Sequence, residues 1–271
     1  MTVKPRDAST VILLRESAGG LKTLMVKRNR RLSFIPGAYV FPGGAIDDAD
    51  TDPAFGKHLP ESVREQAWKT LPDMPDSGRA LGAWVAAVRE TFEEVGILLA
   101  RSFDGGPLEL SSQDTATRYD AHRARLLNKE TTFLDIVREE NLLLSADELV
   151  YFSHWVTPAI SPIRYDVRFF IAPAPEGQKP RCDGSELTEQ CWVTPDEAMD
   201  GFHNGRFEMV LPTLITMEEL ANFHSVGEAV RAAREKNIET ILTSIKNISG
   251  RITETMPDGR TVENLPPLFR R

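Results

Sequence analysis

Glu90, Glu93 and Glu94 stand at positions i, i+3 and i+4 of a strongly periodic stretch. On a helix turning about 100° per residue they fall at roughly 0°, 300° and 40°, all on one face. Leu81, Trp84, Val85, Val88, Phe92 and Val95 fall between about 120° and 220°, so the opposite face is apolar. Three acids at this spacing repel one another in water. They also crowd the C-terminal end of the helix, where its dipole disfavours negative charge. A divalent cation, Mg2+ or Mn2+, reverses both penalties, because hard cations take carboxylate oxygens together with water and substrate phosphate. Glu90, Glu93 and Glu94 are therefore the candidate metal ligands, with a solvated acidic face as the plainer reading of the same spacing.

Other residues around this helix could serve the same chemistry. Arg89 lies four before Glu93, the spacing of a helix ion pair that would orient a ligand. Gly43 and Gly44 allow a tight loop close to the helix. Arg28 and Arg30, within the run Lys27-Arg28-Asn29-Arg30-Arg31, are candidates for receiving phosphate, and Arg164 is a candidate substrate contact from a strand face. His154 and Trp155 are read as packing residues.

The elements that must position these groups follow from patterning. Residues 10–14 and 21–28 read as two strands of a hairpin, and 38–41 as a third strand running into Pro42-Gly43-Gly44. The helix carrying the three acids is expected over 79–95, stopped by Gly96. Strands are expected at 150–156, 164–172 and 190–193, and Thr194-Pro195 starts a capped helix. Helix is expected from 214 to 246, followed by a turn-rich tail.

Composition bounds the partners. The 271 residues carry 40 Asp and Glu against 32 Lys and Arg, a net charge of −8. That disfavours nucleic acid, whose binding needs clustered cations. No apolar run approaches the roughly 18 residues of a membrane span, and no secretory signal is read at the N-terminus. A cytoplasmic protein is expected, with Cys182 and Cys191 reduced.

Residues 89–97, Arg-Glu-Thr-Phe-Glu-Glu-Val-Gly-Ile, resemble the second half of the Nudix box, and Tyr39-Val40-Phe41-Pro42-Gly43-Gly44 resembles the strand and glycine loop before it. Between Gly44 and Arg89 stand 44 residues where the pattern has 13, so 31 are inserted. Counting back from Arg89, the first acid of the box falls on Leu81, a departure from the pattern. The insertion and the 34–44 segment resemble the branch that contains the peroxisomal coenzyme A diphosphatase.

The resemblance implies an α/β fold: a Nudix α/β/α sandwich with a mixed sheet over 8–212, an inserted segment at about 47–78, and a helical C-terminal extension, 213–271, packed on it or forming a homodimer contact. It implies metal-dependent hydrolysis of a nucleoside diphosphate linked to another group, coenzyme A or an acyl-coenzyme A among the candidates. The alternatives are an ADP-ribose or NADH pyrophosphatase and a non-catalytic nucleotide-binding regulator. Glu90, Glu93 and Arg89 would be catalytic, Glu93 and Glu94 metal ligands, and Glu90 a third ligand or base. A further acid is expected on a downstream loop, Glu186 in preference to Glu189, with Asp147-Glu148 as a second place for it.

Overall fold

The computed structural model describes residues 3–108, 110, 112–248, 251–263, 265, 266 and 268. β1 (Arg6–Arg15) and β2 (Lys22–Arg28) form a hairpin that pairs only at its closed end, Leu14 with Thr23 and Arg15 with Lys22. Beyond that point the strands diverge. β3 (Tyr39–Val40) stays with β2, while β4 (Gly43–Ala45) takes the vacated edge of β1, with Ala8 opposite Ala45 and Thr10 opposite Gly43. This split carries the glycine loop out of the hairpin and lays it beside the start of β1.

The inserted segment is ordered. Two short 3₁₀ turns, Asp48–Thr51 and Pro53–His58, lead into α1 (Glu61–Thr70), and Phe55, Leu59, Val63, Ala67 and Leu71 join the main core. α2 (Ser77–Val95) begins at Asp76, whose side chain accepts the Arg79 N–H, and ends at Gly96 in the left-handed conformation, φ 69°. Ala80, Ala83, Ala86 and Ala87 let it lie close to the sheet, where the Ser9 hydroxyl donates to Ala83 O at 2.7 Å. Leu81, where the box's first acid would fall, packs against this core instead.

β5 (Ala100–Ser102) and β6 (Leu142–Leu144) form a small ribbon enclosing α3 (Gln113–Leu127) and α4 (Phe133–Glu139) in sequence. β7 (Val150–Val156) and β8 (Tyr165–Pro173) then pair antiparallel, and β8 runs parallel to β1 from Arg6 to Leu14. β9 (Leu187–Val193) pairs with β2. α5 (Pro195–His203), α6 (Leu211–Leu220) and α7 (Val226–Glu235) cover the other face, so helices flank a mixed sheet on both sides, as expected of an α/β sandwich.

The C-terminal region departs from the expected helix. Helix stops at Glu235, and Thr240–Leu242 forms β10, which joins the edge of the main sheet parallel to β7. β11 (Ser244–Ile248), β12 (Arg251–Thr255) and β13 (Thr261–Glu263) make a separate antiparallel sheet. The β-branched Ile and Thr side chains that fill five of the eight positions from Ile238 to Ile245 suit a pleated strand better than a helix, and Ser225 caps a fresh helix within the stretch expected to be continuous. The main sheet therefore runs β10-β7-β8-β1-β2-β3, with β4 beside β1 and β9 beside β2. Among the described residues, no helix is long and apolar enough to cross a membrane.

Candidate active site

α2 delivers its three carboxylates over the glycine loop. Glu94 Oε2 accepts the Gly43 backbone N–H at 2.7 Å. The space above both glycines is taken: a Cβ on Gly44 would stand 2.5 Å from the Glu90 carboxyl, and one on Gly43 would stand 2.3 Å from Ser9 O. Only glycine lets loop and helix approach this closely.

Arg89 is the hub of the site. Its guanidinium is clamped by Asp50, Nε to Oδ1 at 2.7 Å and Nη2 to Oδ2 at 2.8 Å, and Nη2 also donates to Ala45 O. Nη1 reaches Glu90 Oε1 at 2.9 Å and Glu93 Oε1 at 3.2 Å. A bidentate clamp of this kind fixes the plane of the guanidinium, so Arg89 positions two of the acids. Asp50 is buried, 2% exposed, and comes from the inserted segment.

One arginine does not balance this much negative charge. Burial pushes the Glu90 carboxyl up to about 7, with Arg89 opposing and Glu93 adding to the rise. Burial likewise raises Glu93 and, well above the ordinary range, Glu94, whose second cause is the Glu90 charge. The donor set is all oxygen and short of positive charge, which fits a hard divalent cation. Among the described residues no three carboxylates already converge on one point as a ready cage; Glu90 and Glu93 turn instead to Arg89.

The C-terminal end of α2 is reinforced against its own acids. Arg123 Nε donates to Glu93 O at 2.9 Å, Asp183 N–H to Glu94 O at 3.0 Å and Arg181 N–H to Val95 O at 2.8 Å. These donors satisfy carbonyls that a helix end leaves open. They also dock the 181–187 loop on the helix, where Asp183 accepts the backbone N–H groups of Ser185, Glu186 and Leu187.

A cavity of about 1130 Å3 opens over this arrangement, lined by Glu90, Glu93 and Glu94 and by Gly43 and Gly44. Arg28 and Glu186 also line it, as do Lys129 and Arg6, two cations for which the sequence offered no motif. Glu189 is turned away, bonded to Lys27 and to the Tyr39 hydroxyl, and Asp147 pairs with Arg101. The structure does not bring Arg30 or Arg164 to the cavity. Arg30 pairs with Glu208, and Arg164 donates to Thr157 O and Val3 O, because strand alternation fixes a side chain's face but not its partner. His154 is a packing residue bonded to Asp166 and Thr240, whereas Trp155 also forms cavity wall.

A family model describing the NUDT19 Nudix domain matches residues 5–220. The chain belongs to the NUDT19 Nudix family. It is 27% identical over 245 residues to acyl-coenzyme A diphosphatase NUDT19 of Xenopus laevis, covering 80% of this chain and 64% of the relative. It is 26% identical over 275 residues to the protein of the same name from Gallus gallus, covering 86% of this chain and 72% of the relative. The chain thus spans a little under two thirds of the Xenopus protein. Among solved structures, a Nudix hydrolase from Alicyclobacillus acidocaldarius superposes with a TM-score of 0.68 at 26% identity, covering 85% of this chain and 97% of that one.

For a NUDT19 Nudix domain built this way, Gly43→Ala is expected to disturb the loop on which Glu94 rests. The added methyl meets the β1 backbone at Ser9 and Thr10 as well as the Thr10 hydroxyl, and backbone yields less readily than a flexible side chain. A stability loss of about 1–3 kcal/mol is expected from such overpacking, read as an earlier denaturant midpoint. An unchanged midpoint would show that the loop is free to move away.

Proposed function

We propose that the chain hydrolyses the diphosphate linkage of a nucleoside diphosphate joined to another group, with Mg2+ or Mn2+, and that coenzyme A or an acyl-coenzyme A is the substrate. The observation that carries this reading is the set of three carboxyl groups on α2 lining a 1130 Å3 cavity, Glu90 and Glu93 half-buried and held by one clamped arginine, Glu94 buried and held by the glycine loop. That volume lies at or above the upper end of ordinary ligand pockets and suits a long substrate. The names of the curated relatives, acyl-coenzyme A diphosphatases, support the substrate class.

Glu93 and Glu94 would hold the cation, with Glu90 as third ligand. When bound there, a divalent cation polarises a phosphoryl oxygen and lowers the pKa of an attacking water. Arg89 keeps Glu90 and Glu93 in place. Gly43 and Gly44 keep the loop low enough for the diphosphate to reach the helix. Arg28 and Lys129 bring positive charge to an otherwise acidic cavity wall. Glu186, which carries no ion pair among the described residues, takes the proton of the water as its oxygen attacks phosphorus. The P–O bond of the anhydride then breaks to release two phosphorylated products. Positioning and charge stabilisation supply most of the rate in such transfers.

The test is a substrate panel: coenzyme A, acetyl-coenzyme A, ADP-ribose, NADH, diadenosine polyphosphates and nucleoside triphosphates, each with Mg2+, Mn2+ or EDTA. The expected result is coenzyme A cleavage that EDTA abolishes and either metal restores. Preference for ADP-ribose or NADH would favour the dinucleotide reading, and tight binding without turnover under every metal would favour a regulator.

A further inference from the structure

The cavity extends well beyond the carboxylates. Ala45 on β4 stands opposite Ala8 on β1, Ala8 opposite Val167 on β8, Val167 opposite Trp155 on β7, and Trp155 opposite Ile241 on β10. The first four of these line the cavity, and so does Thr243, two residues past Ile241. Neighbouring strands lie about 4.8 Å apart, so this row runs roughly 19 Å from the glycine loop to the β10 edge.

Two polar groups mark that remote end. Glu254 on β12 lines the cavity, is only 4% exposed, and accepts a hydrogen bond from the Thr243 hydroxyl. Burial holds its carboxyl above the usual carboxylate range, and the Thr243 bond only partly offsets this, with no cation contributing. Trp155, also 4% exposed, carries an indole N–H with no partner among the described residues. A buried donor without a partner costs about 1–3 kcal/mol, a cost that a bound acceptor would remove.

The cations of the cavity stand elsewhere. Arg89 is bound to Asp50, Arg6 is directed to Asp47, Arg28 donates to Phe34 O, and Lys129 follows α3. A phosphate at the Glu254 end would meet a carboxyl group with no positive charge to offset it. A neutral amide would meet one donor and one acceptor.

We propose that the end of the cavity formed by Trp155, Thr243 and Glu254 is the subsite for the uncharged, amide-bearing arm of the substrate, and that Trp155 and Glu254 select that arm by hydrogen bonding. This rests on the coenzyme A reading, and it deepens it by fixing the orientation: the pantetheine arm lies across β1, β8 and β7, and the phosphorylated nucleotide lies toward Arg28 and Lys129. By peptide-like bond dimensions an extended pantetheine arm reaches about 16 Å, enough to span most of the row. The ribose of ADP-ribose stops far short of it.

The experiment compares wild type, Glu254→Gln and Trp155→Phe as full chains, measuring kcat and KM on coenzyme A and on ADP-ribose under Mg2+. The two substrates share the adenosine diphosphate; coenzyme A differs by its arm and by a 3′-phosphate, and dephospho-coenzyme A, assayed alongside, differs from ADP-ribose by the arm alone. The expected result is that each variant lowers the ratio of kcat/KM for coenzyme A to that for ADP-ribose at least tenfold, mainly through KM. Sites built to hydrogen-bond a substrate group discriminate in this way. An equal loss on both substrates would place the shared adenosine at Glu254 and overturn the assignment, and so would an unchanged ratio. Wild type that cleaves ADP-ribose but not coenzyme A overturns the coenzyme A reading itself, a failure visible before any variant is made.

Discussion

Glu94→Gln should lower turnover of the diphosphate substrate by about 10³-fold, the scale on which removing one charge-stabilising group slows a preorganised site, while leaving the fold intact. The amide keeps the shape of the side chain, and its oxygen can still accept the Gly43 N–H that now reaches Oε2 at 2.7 Å. It cannot carry negative charge, so a bound metal would lose an anionic ligand at the most deeply buried of the three positions, where Glu94 is 7% exposed. Glu93→Gln should behave alike, since its oxygen can still accept from Arg89 Nη1. The measurements are kcat under saturating Mg2+ and the thermal midpoint of each variant. Turnover within tenfold of wild type in both would refute the metal assignment, whatever the midpoints show.

Asp50→Ala should produce the largest loss of stability among these substitutions, about 3–5 kcal/mol. Breaking a buried ion pair by removing one partner leaves the other charge uncompensated. Arg89 is 8% exposed and receives both oxygens of Asp50, and its other acidic contacts at hydrogen-bond distance reach only through Nη1. For a chain of this size such a loss corresponds to a fall in thermal midpoint of about 10 °C. Activity should fall as well, because the guanidinium that aligns Glu90 and Glu93 loses its anchor. Asp48→Ala is the control: Asp48 lies two residues away with a fully exposed side chain and a 3.4 Å contact to Arg79, and exposed pairs of this kind contribute little. A midpoint for Asp50→Ala within a degree of the control would refute the clamp.

The parts of this site that the sequence reveals are those set by local spacing. The carboxylates of α2 follow from helical periodicity, the Gly96 stop from its glycine just past the last periodic residue, and the glycine loop from Pro42-Gly43-Gly44 at the end of a short strand. The parts it hides depend on pairings between distant segments. Asp50 lies 39 residues before Arg89 in an acidic, turn-rich stretch in which nothing distinguishes it from Asp47, Asp48 or Asp52. Glu254 belongs to a strand whose neighbour, β11, was expected to be part helix. Arg164 and Arg30 show the converse error: each has the charge and the approximate location, but the fold gives one to backbone carbonyls and the other to Glu208. Alternation and charge runs identify a face or a patch, and only the tertiary partner decides whether a cation is free for substrate.

The 31 extra residues between the glycine loop and the box helix bear on how this protein can vary over evolution. Lengthening a tether from 13 to 44 residues raises its closure entropy by only about 1 kcal/mol, because the cost grows with the logarithm of length. Phe55, Leu59 and Leu71, buried in the common core, can more than recover that. The catalytic geometry is sensitive to one side chain near the start of the detour, Asp50, and largely indifferent to how far the path then wanders. Lineages are free to redecorate the exposed face of α1 and the turns on either side of it, and to acquire new binding surfaces there, as long as the buried side chains and the Asp76 cap of α2 are kept.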